Sequence, residues 1–559
     1  MSYLNAVANR KVTPQNLPIP GTSQVANSAG GYAFPVDDWT RLSRFLVLGS
    51  EKGSYYATQT ALTAENAEAV GRCIDADGER TVREIVAVSN AGRAPKNDPA
   101  IFALALAASL GSETTRKAAL DALPTVCRTG THLFHFAQFV DGMRGWGRGL
   151  RGAVARWYDA KPIKSLAYQA VKYGQRDGWS HRDLLRLAHP KPGNEARRIL
   201  YHWIAQGWER IGDVPHDETD LQIVWAMEKA KLPGTTAKTV AELIRTYDLP
   251  REAVPTLFLN DSLVWEALLE RMPLTALLRN LATLTRVGVL DSKAWQAHVT
   301  KELTDAGRLK AARVHPLSVL AALKTYAQGH GERGKHTWSP VGKIVDALDA
   351  AFYASFGNVE STGKRFVLAL DVSGSMGYGD IAGMPGITPR IGSAAMALIT
   401  AATEGKTETV SFQTSLTRLA ISPRQRLDDV LKAVSGLPFG GTDCALPMVW
   451  ATKNRVEADA FVVYTDSETW HGAIHPVQAL REYRQKTGIA ARLIVVGMVA
   501  NAFSIADPED GGMLDVVGFD TATPLLIGDL FGVFIENKRG NEPFGSLPLL
   551  FRFPLPNRV

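Results

Sequence analysis

The sequence predicts a multidomain protein in which an α-helical repeat region is followed by a doubly wound α/β domain. Between about residues 39 and 355, about a dozen segments carry apolar residues at the spacing of amphipathic helices. After residue 360, short Val-rich runs alternate with helical segments, a pattern typical of a parallel sheet with helices on both faces. At roughly 150 residues per domain, a chain of 559 residues has room for several such units.

The helices predicted in the first part end at Gly, Pro, Asp or Ser, which are common at helix termini. They cover residues 39–49, 99–111, 131–143, 164–176, 181–188, 195–211, 219–230, 239–247, 263–272, 274–290 and 316–328. Ser180 and Asp183 have the spacing of a capping box at the start of one of them. Successive helices without strands favour a helical-repeat array, which curves and offers a concave face to extended ligands.

The α/β domain begins near the joint at residues 360–365. Its predicted strands are 364–373, 408–413, 460–467 and 491–498, and its predicted helices are 393–405, 427–436, 445–454 and 475–488. The chain after residue 537 is rich in Pro and Gly, so we expect an extended tail there.

Composition and charge exclude several classes of protein. The 45% hydrophobic and 21% charged residues are those of a globular chain, and no apolar run approaches the ~18 residues of a membrane helix. Without a signal-like stretch and with three scattered cysteines, we expect a cytoplasmic protein. The chain carries a formal net charge of +6; residues 361–559 contribute −2, so residues 1–360 carry +8. This modest basic excess is compatible with a polyanion-binding surface in the helical part.

A candidate metal site lies on the α/β domain. Asp371, Ser373 and Ser375 form a D-x-S-x-S motif at the carboxyl end of the first predicted strand, where open α/β sheets bind ligands. A second loop offers Thr442, and a third strand ends in Asp466. Oxygen ligands with few carboxylates suit a divalent cation, and Mg²⁺ with retained waters is the expected one. The five residues resemble the metal-ion-dependent adhesion site of von Willebrand factor A domains.

Longer segments extend the resemblance over residues 27 to 535. They are RLSRFLVLGSEKGSYY, VCRTGTHLFHFAQF, WGRGLRGAVARWY, VKYGQRDGWSHRDLLRLAHPKP, HPLSVLAALKTYAQGHGERGK and ALDAAFYASFGNVESTGKRFVLALDVSGSM. Together they resemble the 60-kilodalton Ro ribonucleoprotein family, and a bacterial member in particular. The resemblance implies a TROVE domain at 27–359 and a von Willebrand A-like domain at 360–536. Outside it, we expect a flexible segment at 1–26 and the extended tail at 537–559.

The resemblance also implies a function. In this family HEAT-like helical repeats close into a ring, completed by the A domain, that takes single-stranded 3′ ends of misfolded or aberrant RNA. An outer basic surface binds a small noncoding Y RNA. Bacterial relatives act in RNA quality control, processing or decay with a 3′-to-5′ exoribonuclease, reached through the RNA. A monomeric ring is expected, with neither DNA nor a membrane as partner.

Four residues match the outer RNA-binding surface of the family. Lys172, Gln175 and Arg176 fall in the segment predicted to be helical, where their spacing would place them on one face, and His189 follows shortly after. Lys and Arg there would contact phosphates, and Gln175 could contact a sugar or base edge. A solvated helix face is the ordinary alternative for this spacing.

Two other functions remain open from the residues alone. The A domain could be a metal-dependent adhesion module that binds an acidic side chain of a partner, with the helical part as scaffold. The Asp371 site could instead support a nuclease, although no histidine or additional carboxylate is expected beside it as a general base. We therefore expect binding rather than catalysis.

Three further signals are weak. Residues 329–336 nearly match a phosphate-binding loop but lack its final Ser or Thr and follow a helix. His132 and His135 are spaced like helical metal ligands, but the surrounding phenylalanines favour two core histidines. Several tryptophans could stack on RNA bases, although tryptophan at helical spacing more often packs in a core.

Overall fold

The fold is described from a computed structural model. It describes residues 12–49, 67–92, 94, 96–207, 219–312, 314, 316–331, 336–356, 361–379, 386–423, 425–436, 440–498 and 503–517. The predicted extended tail at 537–559 lies outside these residues. In the described part of the chain, no helix has the length and apolar character needed to cross a membrane.

The first part of the chain is helical, as predicted. Two short strands, β1 (Val25–Ala26) and β2 (Tyr32–Pro35), come before its helices. The helices are Asp38–Leu48, Glu68–Ala91, Asp98–Leu110, Glu113–Val126, Gly130–Met143, Arg148–Asp159, Ile163–Lys172, His181–Ala188, Glu195–Gln206, Gln222–Ala230, Ala237–Tyr247, Ser262–Leu269, Leu274–Arg286, Lys293–Thr304, Ala306–Ala311, Pro316–Ala327 and Gly342–Ala354. Ser180 and Asp183 form the predicted capping box at the start of one of them.

Each helix packs against near neighbours in the chain, as in a repeat array. One hydrophobic core runs from the helix Asp38–Leu48 to the helix Ser262–Leu269. A second core begins at Trp265, passes through the later helices and continues under one face of the α/β sheet. The helical region and the A domain therefore share a continuous core on that side.

One predicted helix ends earlier than expected. The sequence predicts a helix through Arg176, but the helix ends at Lys172 and is followed by a hairpin of β3 (Gln175–Arg176) and β4 (Trp179–Ser180). Asp177 and Gly178 form its two-residue loop, with φ values of +51° and +80°. Positive φ at both loop positions is what the tight hairpin turn requires, and Asp-Gly is a favoured pair there.

The α/β domain has a six-stranded sheet in the order β11-β9-β8-β5-β6-β7. Its strands are β5 (Arg365–Asp371), β6 (Lys406–Phe412), β7 (Leu416–Leu419), β8 (Ala460–Thr465), β9 (Arg492–Gly497) and β11 (Met513–Val517). All neighbours are parallel except β6 and β7, and β7 and β11 are edge strands that the sequence analysis did not predict. The helices of the domain are Pro389–Thr403, Leu427–Ser435, Leu446–Asn454 and Pro476–Thr487.

The beginning of the chain contacts the A domain. Strand β2 pairs with β10 (Phe503–Ser504), and Phe34 is buried in the core on the second face of the sheet. The helix Asp38–Leu48 packs against β11, while the last helix of the helical region joins the opposite core. Both ends of the helical region therefore contact the A domain, so the packed elements form a closed circuit of contacts.

The segment expected to be flexible is ordered in its described part, residues 12–26. Gln15 is completely buried, and its side chain donates hydrogen bonds to Asp443 Oδ1 (2.5 Å) and to the carbonyl of Ile474 (2.8 Å). The backbone of Thr13 donates to Gln478 Oε1. Buried polar groups are normally satisfied by such hydrogen bonds, and the sequence analysis did not predict these contacts.

Candidate functional site

The D-x-S-x-S motif lies at the carboxyl end of β5, an inner strand of the sheet that pairs in parallel with β8 on one side and β6 on the other. Asp371 is fully buried, and its Oδ1 accepts a hydrogen bond from the backbone of Ser373 at 2.9 Å. Its Oδ2 accepts one from the hydroxyl of Thr465 at 2.6 Å, at the end of the adjacent strand β8. The side chain is thereby fixed at the strand end, as the motif predicted.

The two serines connect this carboxylate to Asp466. Ser373 Oγ and Ser375 Oγ lie 3.1 Å apart, and Ser375 Oγ donates to Asp466 Oδ2 at 2.6 Å. Asp466 Oδ1 accepts from the backbone of Glu468 at 3.0 Å. Four of the five predicted ligands therefore form one hydrogen-bonded group built from two strand ends.

Thr442 lies on a neighbouring loop that is tied to the segment after Asp466. Its carbonyl accepts hydrogen bonds from the backbones of Trp470 (3.1 Å) and His471 (3.0 Å) and from the hydroxyl of Thr469 (3.2 Å). Thr442 itself is buried. These contacts hold the loops of Thr442 and Asp466 side by side.

The electrostatics of this group suit a cation. Burial, reinforced by the nearby negative charge of Asp466, raises the pKa of Asp371 above its ordinary value. Two buried carboxylates and two hydroxyls in mutual contact form an oxygen donor set that a hard divalent cation would stabilise. The residues therefore fit Mg²⁺, with Asp371, Ser373, Ser375, Thr442 and Asp466 as the residues that would hold it.

Other residues near the site were missed by the sequence analysis. The guanidinium of Arg390 donates to the carbonyls of Val372 (3.3 Å) and Ser373 (3.2 Å) and so supports the motif loop. Asp443 and Glu468 are additional carboxylates on the ligand loops, contrary to the expectation that none accompanies the site. Each is engaged elsewhere: Asp443 accepts from Gln15, and Glu468 Oε2 accepts from the backbone of Ala29 at 3.1 Å.

The predicted RNA-contacting residues do not lie on one face of a helix. They lie at the end of a helix and on the hairpin that follows Lys172. Lys172 is the last residue of its helix, and its ammonium donates to the Tyr168 hydroxyl at 3.3 Å. Gln175 and Arg176 are exposed on β3, where successive side chains point to opposite faces. The expected common helical face is therefore wrong, although the three residues stay close in one helix-to-hairpin segment.

His189 lies at the other end of the helix His181–Ala188. It is exposed, adopts a left-handed conformation (φ +45°) and ends the helix through a backbone hydrogen bond to Leu185. Eight helical residues span ~12 Å, so His189 is separated from the hairpin by about that length of helix. It belongs to the same surface region but not to the hairpin itself.

The hairpin is held against the helix Gly130–Met143. The ring nitrogens of His135 contact the carboxylates of Asp177, in the hairpin loop, and of Asp98 at 3.5 Å. The indole of Trp179 donates to Gln138 at 3.0 Å, and its ring packs 5.2 Å from that of Trp146. His135 therefore contacts two carboxylates as well as packing in the structure, which the interpretation as a core histidine did not include.

For His132, unlike His135, the structure agrees with the interpretation as a core histidine. Burial lowers its pKa to about 4, so the ring is neutral at ordinary pH. Throughout the described residues there is no group of three or more His, Cys, Asp or Glu side chains arranged to hold a metal. The five residues of the Asp371 site include only two carboxylates, and hydroxyl groups make up the rest.

The fold and the site define a class of protein: a helical TROVE domain followed by a von Willebrand A-type domain with a metal-site motif. The TROVE domain model matches residues 25–222 and 246–325, and the model of the Ro60 vWA domain matches residues 365–531.

Relatives that match over nearly their full length support the same class of protein. An RNA-binding protein RO60 from Deinococcus radiodurans is 46% identical over 522 residues, covering 92% of this chain and 97% of the relative. One from Caenorhabditis elegans is 38% identical, covering 92% of this chain and 91% of the relative. The crystal structure of the Deinococcus radiodurans RO (RSR) protein matches with a TM-score of 0.71, over 88% of this chain and 99% of that one. The chain belongs to the Ro60 family.

Proposed function

We propose that this protein binds RNA through its helical domain and acts in noncoding RNA quality control, processing or decay. Both curated relatives are named as RNA-binding proteins, and the 46% identity to one of them spans almost its whole length. The observation that carries the proposal is the hairpin Gln175–Ser180, which presents the exposed Arg176 on a rigid support. A guanidinium in such a position is suited to phosphate contacts.

The proposal assigns two RNA surfaces. A small noncoding, Y-like RNA binds outside, at Lys172, Gln175, Arg176 and His189. Single-stranded 3′ ends of misfolded RNA enter the ring that the helical region and the A domain close together. A 3′-to-5′ exoribonuclease is a partner through the RNA, and the cytoplasm is the proposed compartment.

The A domain is proposed to hold Mg²⁺ at the Asp371 site. The buried pair Asp371 and Asp466 supports this, because a cation would relieve the repulsion between their charges. When bound, the cation supplies a Lewis-acidic position that an acidic partner side chain or water can occupy. Asp371 and Asp466 contribute charge, while Ser373, Ser375 and Thr442 orient the site.

The alternative of a metal-dependent adhesion scaffold is favoured by one observation. Trp470 is exposed and follows Asp466 by four residues, so an aromatic side chain stands near the metal loops. In that case the A domain binds an acidic partner and RNA binding is secondary.

One experiment separates these functions and a nuclease. Purified protein is incubated with a labelled structured RNA and with a short single strand, with Mg²⁺ or with EDTA. We expect binding of both RNAs without cleavage. Affinity should fall with salt by a slope of about −0.7 in log K per log salt for each phosphate contact in a single strand. Cleavage that requires Mg²⁺ would support the nuclease, and an absence of RNA binding would favour the adhesion scaffold.

A further inference from the structure

The N-terminal residues 13–31, here called the N-terminal strap, lie across the loops that carry two of the predicted metal ligands. Residues 12–24 precede both family-model matches, of which the TROVE match begins at residue 25 and the vWA match at residue 365. The strap nevertheless makes hydrogen bonds to residues more than 400 positions away, on the A domain. The interaction therefore joins the beginning of the chain to the metal-site loops.

Gln15 is the central residue of the strap. Its side-chain amide donates to Asp443 Oδ1 and to the Ile474 carbonyl, and its amide oxygen accepts from the hydroxyl of Thr469. Its backbone N–H donates to the Gly472 carbonyl at 3.1 Å. One buried side chain thus bridges the loop of Thr442 and Asp443 to the loop that follows Asp466.

A second set of contacts holds the loop after Asp466. The side chain of Asn27 donates to the Thr469 carbonyl at 2.6 Å, and the Ala29 backbone donates to Glu468. Gly31 lies so close that an added Cβ would stand 1.9 Å from the Thr469 carbonyl oxygen. The strap therefore leaves this loop little freedom to move.

The loop in turn orients the predicted ligand. The backbone N–H of Glu468 donates to Asp466 Oδ1, and the Thr469 hydroxyl donates to the carbonyl of Thr442. A displacement of residues 468–469 would therefore change the direction of the Asp466 carboxylate. It would also separate Asp466 from Thr442.

We propose that Gln15 is a positioning residue for the cation site and that the N-terminal strap sets the affinity of the A domain for Mg²⁺. The inference rests on the proposed function of the Asp371 site. Coupling is reciprocal, so a cation that orders these loops must also tighten the strap. Because β2 follows the strap and pairs with β10, Mg²⁺ would favour closure of the ring.

The test measures Mg²⁺ affinity of the full chain by isothermal titration calorimetry. Gln15→Met keeps the approximate volume of the side chain and removes its hydrogen bonds. We expect about 10–100-fold weaker Mg²⁺ binding, the usual effect of removing support behind metal ligands. Thr13→Val is the matched strap control, since Thr13 contacts Gln478 on a helix and not the loops. The Mg²⁺ affinity of the Thr13→Val variant should equal that of the wild type.

A second control separates positioning from stability. Ile494→Val truncates a buried residue of β9 and lowers the unfolding temperature without touching the loops, so it should leave Mg²⁺ affinity unchanged. If Ile494→Val and Gln15→Met lower the affinity equally, the effect is one of stability and the inference is wrong. Unchanged affinity in Gln15→Met would overturn it as well.

Hydrogen exchange of the wild-type protein tests the same coupling without a variant. Mg²⁺ should slow exchange of the strap amides of Gln15 and Ala29, which donate to Gly472 and Glu468. It should also slow exchange of the Tyr32 amide in β2, which donates to the strap at the Gln15 carbonyl. If bound Mg²⁺ leaves the exchange of these amides unchanged, the inference about the strap is overturned, while the proposed metal function is not. A wild-type protein that binds no Mg²⁺ would instead disprove the proposed metal function, and the inference with it.

Discussion

Arg44 and Asp515 form a largely buried ion pair with a distance of 2.8 Å between Nη2 and Oδ1, although 471 residues separate them. Arg44 belongs to the helix Asp38–Leu48, and Asp515 belongs to the edge strand β11. The guanidinium also lies near the carbonyl of Phe503 in β10. The pair therefore joins the first helix of the ring to the last described strand of the A domain.

The first prediction concerns this pair. Arg44→Met leaves the Asp515 carboxylate without its charged partner at the contact between the helix Asp38–Leu48 and strand β11. Loss of one partner of a buried pair costs roughly 3–5 kcal/mol. We expect that reduction in the free energy of unfolding, measured by urea denaturation followed by circular dichroism. A change below about 1 kcal/mol would show that the pair does not stabilise the closed ring.

The control is an exposed pair on the same domain. Arg418 and Glu408 lie 2.7 Å apart on β7 and β6, with much of both side chains in solvent. Arg418→Met should change the free energy of unfolding by about 0–1 kcal/mol, since water screens exposed pairs.

Local patterns were enough to predict most of the fold and to bring together the residues at the centre of the proposed metal site. The apolar periodicity predicted most of the helices, and the Val-rich runs predicted β5, β6, β8 and β9. Asp371, Ser373 and Ser375 could be placed together because a strand followed by a tight turn fixes their relative positions. Asp466 could be added because parallel strands end at the same edge of the sheet.

The hairpin at Gln175–Ser180 had a local signal that the helical pattern obscured. Asp177-Gly178 is a strong sequence indication of a two-residue hairpin loop. The apolar spacing of the preceding helix continues almost to Arg176, so the helix was extended over the turn. Flanking segments of two residues are also too short to show the alternation of a strand.

The strap could not be predicted from local pattern at all. Gln15 and Asp443 are separated by 428 positions, and neither residue type indicates the other. A polar segment before the first helix is compatible with a flexible end, which was the expectation. Only the tertiary structure shows that its amides bond to the metal-site loops.

The second prediction concerns the RNA surface. Lys172→Ala combined with Arg176→Ala removes two cations from the helix-to-hairpin segment. It should weaken binding of a small structured RNA much more than binding of a short single strand, because the two RNAs are proposed to use different surfaces. Filter binding at two salt concentrations measures both affinities, and the slope for the structured RNA should become shallower.

The matched control removes two cations from the A domain. Lys432→Ala with Arg455→Ala changes the net charge equally, and both side chains are exposed. This variant should bind both RNAs like the wild type. If it loses as much affinity as the hairpin variant, binding depends on total charge rather than on the hairpin. Equal losses for the two RNAs in the hairpin variant would mean that the surfaces are not separate.

The third prediction separates the metal from the RNA. Asp371→Ala removes the fully buried carboxylate at the centre of the proposed site and should abolish Mg²⁺ binding measured by calorimetry. RNA affinity should stay near that of the wild type, because the basic surface belongs to the helical domain. Circular dichroism verifies that the variant is folded. A large loss of RNA affinity in a folded variant would mean that the A domain takes part in holding RNA.

The fourth prediction is a dependence of stability on pH that originates at His181. Burial lowers the pKa of this histidine to about 4 from an ordinary 6.5, and its Nδ1 lies 2.7 Å from the Tyr158 hydroxyl. Between these pH values the unfolded chain binds a proton that the folded chain does not. The contribution of His181 to stability is therefore complete above about pH 6.5 and decreases as the pH falls toward 4.

The measurement is the free energy of unfolding at pH 7 and pH 5, for the wild type and for His181→Gln. The histidine should account for about 2 kcal/mol of the loss between these pH values, so the variant should lose that much less. The difference between the two proteins is the relevant quantity, because burial also raises the pKa of Glu84 to about 7, which acts in the opposite direction. His336→Gln, at an exposed position, should follow the wild-type profile. Parallel profiles for His181→Gln and the wild type would show that the buried ring does not titrate differently in the folded chain. In that case acid would not loosen the helix His181–Ala188, which directly follows the hairpin and leads to His189.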